Sequence, residues 1–315
     1  MNEIVPNAIS VENLWATYGT FKAVRGISFS IPRGEVFGFI GPNGAGKSTT
    51  LKVLATLKAP SYGEVAVEGY SVVRHTREVR RRIGYVPDAF GTYEDLSTED
   101  YLQFFAAAYS LPLDERDRTV GDVLELVGLT HKKGAPVDGL SRGMKQRLQI
   151  GRVLLHDPSV LLLDEPASGL DPRARVEMRE LLKALQEMGK TILISSHILH
   201  ELSFLCTRIG IVEAGQMVVE GSLDEIYKRL GVHQNVQIHI TNLNDGMLGY
   251  IKSIRGVVDA EVQEERIDVQ IKSEEISPED LLDEIHKTGA KIRFFSPEAM
   301  DMEQVFLRIT TGLTS

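Results

Sequence analysis

Three short runs, VFGFI (36–40), VLLLD (160–164) and TILISS (191–196), are apolar or β-branched almost throughout, without the alternation of a strand that faces water on one side. That pattern predicts strands buried on both faces. Between them the apolar positions recur at helical spacing, as in PRARVEMRELLKALQEMG (172–189), which a proline opens and a glycine closes. Such alternation predicts a mostly parallel sheet wrapped by helices. Near the start, ISVENLWATYG and SFSIPRGE predict antiparallel strands, and EAGQ (213–216) predicts the turn of a hairpin. Residues 98–130 carry helical patterns only, TEDYLQFFAAAY and then RTVGDVLELVGL. They predict a helical lobe, at about 92–157, inserted between the early and late strands.

After GVHQN (231–235) the pattern changes. NVQIHI predicts a strand, NDGMLGYIKSI a helix, VVDAEVQ and RIDVQIK strands, SPEDLLDEIHKTG a helix and KIRFFSP a strand. The order βαββαβ is the ferredoxin-like arrangement. A last helix, MEQVFLRIT, is expected to close the chain. The expectation is therefore two domains, 1–231 and 232–315, the second a small α+β accessory unit.

Composition narrows the function classes. A hydrophobic content of 43% and a charged content of 25% are those of an ordinary globular protein. No apolar stretch approaches the 18 residues of a membrane span, and MNEIVPNAIS shows no secretory signal. The single cysteine, Cys206, rules out an internal disulfide, fits a reducing cytosol and is expected as a small buried hydrophobe on a helix. Of the net charge of −9, residues 235–315 carry 15 acidic against 8 basic side chains. Neither half offers the broad positive field of a nucleic-acid binder. The one strongly basic tract, RHTREVRRR (74–82), has helical spacing that spreads its arginines around a solvated face.

The chemistry is concentrated in a few motifs. GPNGAGKST (41–49) satisfies G-x-x-x-x-G-K-[ST], behind a predicted strand and ahead of the predicted helix STTLKVLATL. Gly41, Gly44 and Gly46 let the backbone turn tightly, so that in the loop Pro42 begins the amides of Asn43, Ala45 and Thr49 can face phosphate oxygens. The helix start adds unpaired amides and a positive dipole end. Lys47 is expected to reach the β- and γ-phosphates of ATP, and the Ser48 hydroxyl to hold Mg²⁺. VLLLDEP (160–166) supplies Asp164, a metal carboxylate at a strand end, and beside it Glu165, placed to take a proton from attacking water. Downstream of the phosphate loop, LSRGMKQRL (140–148) opens a helix with a good N-cap, Ser141, and with Gly143, which allows close backbone approach.

Together with VLLLDEPASGLDP and the Ser196-His197 pair, these motifs resemble those of the ATP-binding cassette family over residues 9 to about 230. The resemblance implies a phosphate-loop NTPase cassette with a mixed, mostly parallel sheet, an antiparallel β subdomain and an inserted helical lobe. It implies that Ser141 and Gly143 bind the γ-phosphate of ATP held by the other subunit of a head-to-tail homodimer or pseudo-dimer. Tyr18 is then expected to stack on adenine, Asp171 to sit at the dimer seam, and His197 to hydrogen-bond the γ-phosphate. The chain departs from the family at Arg142, where a glycine is usual, at Met144, where a glutamine is usual, and at Asp88, which replaces a metal-ligating glutamine. A carboxylate is a good hard-cation ligand, so Asp88 remains a candidate for Mg²⁺.

The resemblance further implies an ATP-hydrolysing subunit, peripheral on the cytoplasmic face of the membrane, that powers an exporter whose permease is a separate polypeptide. The acidic C-terminal part resembles the tails of drug- and antibiotic-efflux subunits. The alternative is a soluble cassette ATPase acting on ribosomes or DNA, against which stand the single cassette and the lack of a basic domain. A non-hydrolysing regulatory subunit is disfavoured by Glu165 and His197.

Overall fold

The computed structural model describes residues 7–89, 91, 95–197, 205–222, 225–226, 234–263, 266–272 and 275–297. By contacts the chain divides into two compact units, one through Ser222 and the other from Leu223. The expected boundary at 231/232 lies in the stretch between the two units' strands, most of it outside the described residues. The expected closing helix MEQVFLRIT also lies outside them.

The first unit begins with the long hairpin β1 (Asn7–Tyr18) and β2 (Phe21–Pro32), followed by β3 (Val36–Ile40) and α1 (Lys47–Leu54). Next come β4 (Tyr62–Val67), β5 (Tyr70–Ser71), α2 (Thr76–Arg82) and β6 (Ile83–Val86). The helices α3 (Thr98–Ala108), α4 (Leu113–Leu126) and α5 (Arg142–Leu154) form the inserted lobe. The unit then returns to the sheet with β7 (Val160–Asp164), α6 (Pro172–Glu187), β8 (Thr191–Ser196), β9 (Arg208–Glu213) and β10 (Gln216–Ser222).

Two sheets result. One is antiparallel, in the order β2-β1-β4-β5. The other runs β10-β9-β3-β8-β7-β6, parallel except for the β9–β10 hairpin at its edge. Every residue of β3, β7 and β8 is buried, which is why those runs lack alternation. Phe29 of the antiparallel sheet meets Phe37 and Phe39 of the parallel one, ring centroids 5.5 Å apart in both pairs. Emptying that contact by Phe37→Ala would cost about 3–5 kcal/mol. The turn of the β9–β10 hairpin is Ala214-Gly215, both at positive φ, as its two-residue loop requires.

In the lobe, Ser97 caps α3 by accepting the Asp100 amide at 3.1 Å, and Tyr101 is fully buried. Arg147 of α5 ties three helices: its guanidinium donates to Val127 O at 2.7 Å and pairs with Glu177 of α6 at 2.9 Å. Just past α5, His156 places Nε2 3.0 Å from Ile83 O, and its ring lies 4.3 Å from that of Tyr109. The basic tract is largely engaged in internal contacts. Arg80 donates to Thr56 Oγ1 at 2.7 Å, Arg81 and Arg82 both pair with Glu78, and Arg82 lies over the Tyr70 ring. Cys206 is buried as expected, but in the connection into β9 instead of a helix. The next residue, Thr207, already donates its amide to Val36 O at 3.0 Å, which draws the backbone toward the sheet.

The second unit has β11 (Gln234–Ile240), α7 (Asp245–Ser253), β12 (Val257–Gln263), β13 (Arg266–Ile271), α8 (Pro278–Lys287) and β14 (Ile292–Pro297). Its antiparallel sheet runs β12-β13-β11-β14, and one set of alternate residues, among them Val236, Ile238, Val269 and Ile271, packs with Ile251, Leu281 and Ile285 of the helices. Side chains cap both helices: Asn244 accepts the Met247 amide at 2.9 Å, and Ser277 the Asp280 amide at 3.0 Å. Among the described residues of the chain, no helix is long and apolar enough to cross a membrane.

Candidate active site

The loop 41–46 leaves β3 and delivers the chain into α1. Gly44 and Gly46 have φ of 84° and 100°, backbone that an L side chain rarely adopts. Gly41 and Gly46 are further constrained from behind: an added Cβ would stand 2.1 Å from Val212 O and 2.6 Å from Ala23 O, respectively. The Gly215 amide donates to Ala45 O at 3.2 Å, so the β9–β10 turn closes the rear of the loop. Within the loop, the Ala45 amide donates to Pro42 O at 3.2 Å. Asn43 and Gly44 are exposed at its tip, and Ala45 is buried beneath. No side chain caps α1, so its first amides are not engaged by a side-chain cap. Ser48 and Thr49, half-buried, occupy that first turn.

Lys47 is only 5% exposed. Its ammonium donates to Gly41 O at 2.7 Å and Pro42 O at 3.2 Å, and stands 3.3 Å from Glu165 Oε1. The Ser48 hydroxyl donates to Asp164 Oδ1 at 3.0 Å. Parallel pairing of β7 with β8 sets Asp164 opposite Ser195, and the Ser195 hydroxyl donates to the same Oδ1 at 2.6 Å. Ser195 Oγ in turn accepts the Glu165 amide at 3.0 Å. Glu165 itself has φ of 51°, costly for a residue with a side chain and maintained by its surroundings. Its Oε2 accepts the His197 amide at 3.3 Å and lies 2.7 Å from His197 Nδ1. One strand-end cluster thus gathers Lys47, Ser48, Asp164, Glu165 and His197.

Ser195 was not anticipated. Its signal was the pair of hydroxyls that ends the otherwise apolar TILISS, beside a strand that ends in a carboxylate. Sequence does not tell which of two adjacent serines faces that neighbour.

The remaining candidates lie apart from this cluster. Tyr18 ends β1, half exposed, with the Lys58 ammonium 4.0 Å over its ring. Asp88 is exposed just beyond β6. Burial, then the charges of Asp164 and Asp88, hold the Tyr85 phenol well above its ordinary titration range. Ser141 caps α5 by accepting the Met144 amide at 3.3 Å, and Asp171 caps α6 by accepting the Ala174 amide at 2.9 Å. Gly143 is buried where an added Cβ would stand 2.6 Å from Ala174 Cβ, so the backbone approach it permits within this chain is to α6.

Two hard oxygen donors at 3.0 Å, Ser48 Oγ and Asp164 Oδ1, suit Mg²⁺, which takes few protein ligands and completes its shell with water and phosphate. Among the described residues no larger cluster of histidine, cysteine and carboxylate could hold a metal.

Comparison with known proteins agrees with this geometry. The family model described as ABC transporter matches residues 24–168. The chain is 35% identical to the linearmycin resistance ATP-binding protein LnrL of Bacillus subtilis (strain 168), over 96% of this chain and 98% of that one. It is 38% identical to the Nod factor export ATP-binding protein I of Ralstonia nicotianae, covering 69% of this chain and 68% of that one. Among solved structures, an ATP-binding subunit of an ABC transporter superposes with a TM-score of 0.64 at 32% identity, over 71% of this chain and 93% of that one. CbiO1 from Clostridium perfringens, part of the transporter complex cbiONQ, superposes with a TM-score of 0.65 at 31% identity, over 70% of this chain and 91% of that one. With the phosphate loop, both carboxylates and the histidine gathered at the C-terminal ends of β3, β7 and β8, the chain belongs to the ABC transporter family, as an ATP-binding subunit that hydrolyses ATP to power transport.

Proposed function

We propose that this chain drives an exporter, working as one of two head-to-tail ATPase subunits on a separately encoded permease at the cytoplasmic face of the membrane. The observation that carries the hydrolytic half of this reading is the Glu165 carboxylate, set between Lys47 at 3.3 Å and His197 at 2.7 Å on a backbone of φ 51°. A base in that position accepts the proton of a water attacking the γ-phosphorus in line, while ADP leaves and phosphate forms. Lys47 and the amides of 41–49 seat the β- and γ-phosphates. Ser195 fixes Asp164 and the Glu165 amide in one orientation. His197 orients Glu165 from one side and offers its ring to the γ-phosphate. Ser48 and Asp164 would hold Mg²⁺, with Asp88 as an outer ligand, and the ion would offset the charge of the phosphates. Tyr18 offers the ring face opposite Lys58 to adenine.

The head-to-tail pair is supported by the head of α5, where Ser141 caps the helix and Gly143 packs against Ala174 of α6. There they complete the nucleotide site of a second copy, with Asp171 at the seam. Export as the direction of transport rests on the relatives named for linearmycin resistance and Nod factor export.

The test is affinity purification of the tagged chain from detergent-solubilised membranes and, in parallel, from ribosome pellets. Recovery with a stoichiometric polytopic membrane protein is the expected result. Recovery with ribosomes or nucleic acid and no membrane protein overturns the assignment.

A further inference from the structure

The head of α5 meets α6 and the turn ahead of it at two points within this chain. One is Gly143 against Ala174. The other is Gly169, at φ 67°, where an added Cβ would stand 2.8 Å from Arg142 Cζ, 2.9 Å from Nη1 and 3.2 Å from Nε. Three atoms of one planar group at nearly equal distance from a single point put that point over the face of the plane. The guanidinium of Arg142 therefore lies flat on Gly169, whose positive φ favours glycine.

Electrostatics does not explain this placement. Arg142 is the first residue of α5, where the helix dipole opposes a cation, and the first turn of α5 has no acidic residue. Among the described residues Arg142 forms no ion pair or hydrogen bond. Shape holds it.

What Gly169 is attached to gives the contact meaning. The turn begins at Glu165: the Ser168 amide donates to Glu165 O at 3.1 Å and the Leu170 amide to Ala167 O at 3.3 Å. It ends at Asp171, the cap of α6. The segment is thus a short, internally bonded bracket with the general base at one end and the Arg142 contact four residues on.

We propose that Arg142 is a positioning residue that couples the two ATP sites of the pair. It ties Ser141 and Gly143, offered to the second copy's nucleotide, to the bracket that carries this chain's own Glu165. The proposal rests on the shared-site reading above. Closure of α5 on one γ-phosphate is transmitted through the Arg142–Gly169 face to the base of the other site.

The experiment uses the full chain as Arg142→Ala, Arg142→Lys, Gly169→Ala and the Arg142→Ala/Gly169→Ala double variant. Steady-state hydrolysis, direct ATP binding and thermal unfolding are measured on each. In Arg142→Ala, kcat is expected to fall by on the order of 10- to 100-fold, as a sub-ångström misplacement of a base produces, and cooperativity in ATP to be lost. ATP affinity and Tm stay at wild-type values. Arg142→Lys keeps the charge but cannot lie flat, so it does not restore kcat. The double variant is no slower than the slower single. Wild-type kcat in Arg142→Lys overturns the proposal, because charge alone then suffices. A raised KM with unchanged kcat in Arg142→Ala also overturns it, since the arginine then contacts nucleotide. Gly169→Ala is the variant at risk of misfolding, and Arg142→Ala, an exposed truncation, decides without it.

A mixture of Ser141→Arg and Lys47→Ala chains separates this proposal from the reading beneath it. Rescue of hydrolysis in the mixture together with unchanged kcat and cooperativity in Arg142→Ala removes the coupling and leaves the shared site standing. A mixture that neither hydrolyses nor dimerises with ATP, both chains being folded, removes the shared site and the coupling with it.

Discussion

Lys47 and Glu165, the cation of the phosphate loop and the proposed general base, are in direct contact: the ammonium stands 3.3 Å from Oε1. Both are largely buried, so neither charge is well solvated and each helps to fix the other. A γ-phosphate seated on Lys47 competes for the same ammonium. Binding is therefore expected to redirect the carboxylate as well as to neutralise the lysine.

Replacing Glu165 with glutamine preserves size and the hydrogen bond near His197 but removes the proton acceptor. Hydrolysis is expected to fall by about 10²–10⁴-fold while ATP binding is retained. Single-turnover phosphate release beside equilibrium nucleotide binding checks this, and near-wild-type turnover would show that the base is another group.

Lys47→Ala acts one step earlier. It removes the cation that seats the triphosphate and leaves Glu165 buried without its partner, so ATP affinity and some stability are lost together. Direct binding with a fluorescent ATP analogue provides the measurement. Undiminished affinity would remove the phosphate-loop assignment.

Ser195→Ala tests a residue that no motif marks. The fully buried hydroxyl donates to Asp164 and accepts from the Glu165 amide, which has a second acceptor in Ser195 O at 3.2 Å. The expected stability loss is about 1–3 kcal/mol, the cost of leaving a buried charged acceptor short of a donor. Turnover should fall more than ATP affinity. Unchanged kcat with an unchanged Tm would make the hydroxyl a bystander.

Legibility followed the physics of each element. The buried strands could be read because residues enclosed on both faces must be apolar throughout, and the phosphate loop because its glycines answer a backbone demand local to the loop. The second unit's order of strands and helices could be read for the same local reason. What depended on tertiary neighbours could not. Gly143 permits a close approach, but its partner, Ala174, lies on another helix. Arg142 reads as a departure from a motif until Gly169 is found beneath it. Cys206 was expected on a helix, whereas Thr207's bond to Val36 O has already drawn that stretch toward the sheet.

The pH response of stability is expected to depend on His156. Burial lowers its titration point below the ordinary histidine value, so on acidification the unfolded chain takes up a proton that the folded chain resists. The stability it contributes is complete above the unfolded value, near 6.5, and is lost as pH falls through it. Burial raises Glu35 and Glu220, whose effect runs the other way. The histidine's share is therefore the difference between wild type and His156→Gln. That gap in Tm should narrow between about pH 7.5 and 5.5, bracketing the unperturbed histidine value. A gap independent of pH would mean that His156 does not titrate with unfolding.

The rear wall of the phosphate loop, begun by Ala23 behind Gly46, is completed by Val212 and Gly215, some 170 residues beyond the loop they support. A nascent chain that has emerged as far as Ser196 already carries the lysine, both carboxylates and Ser195, yet nothing stands behind Gly41 or holds Ala45 O. Competence for nucleotide is therefore expected late in synthesis, once the β9–β10 hairpin folds against the back of the loop. Until then the ribosome would hold a chain with every proposed catalytic side chain but His197, and without the back wall that seats the triphosphate.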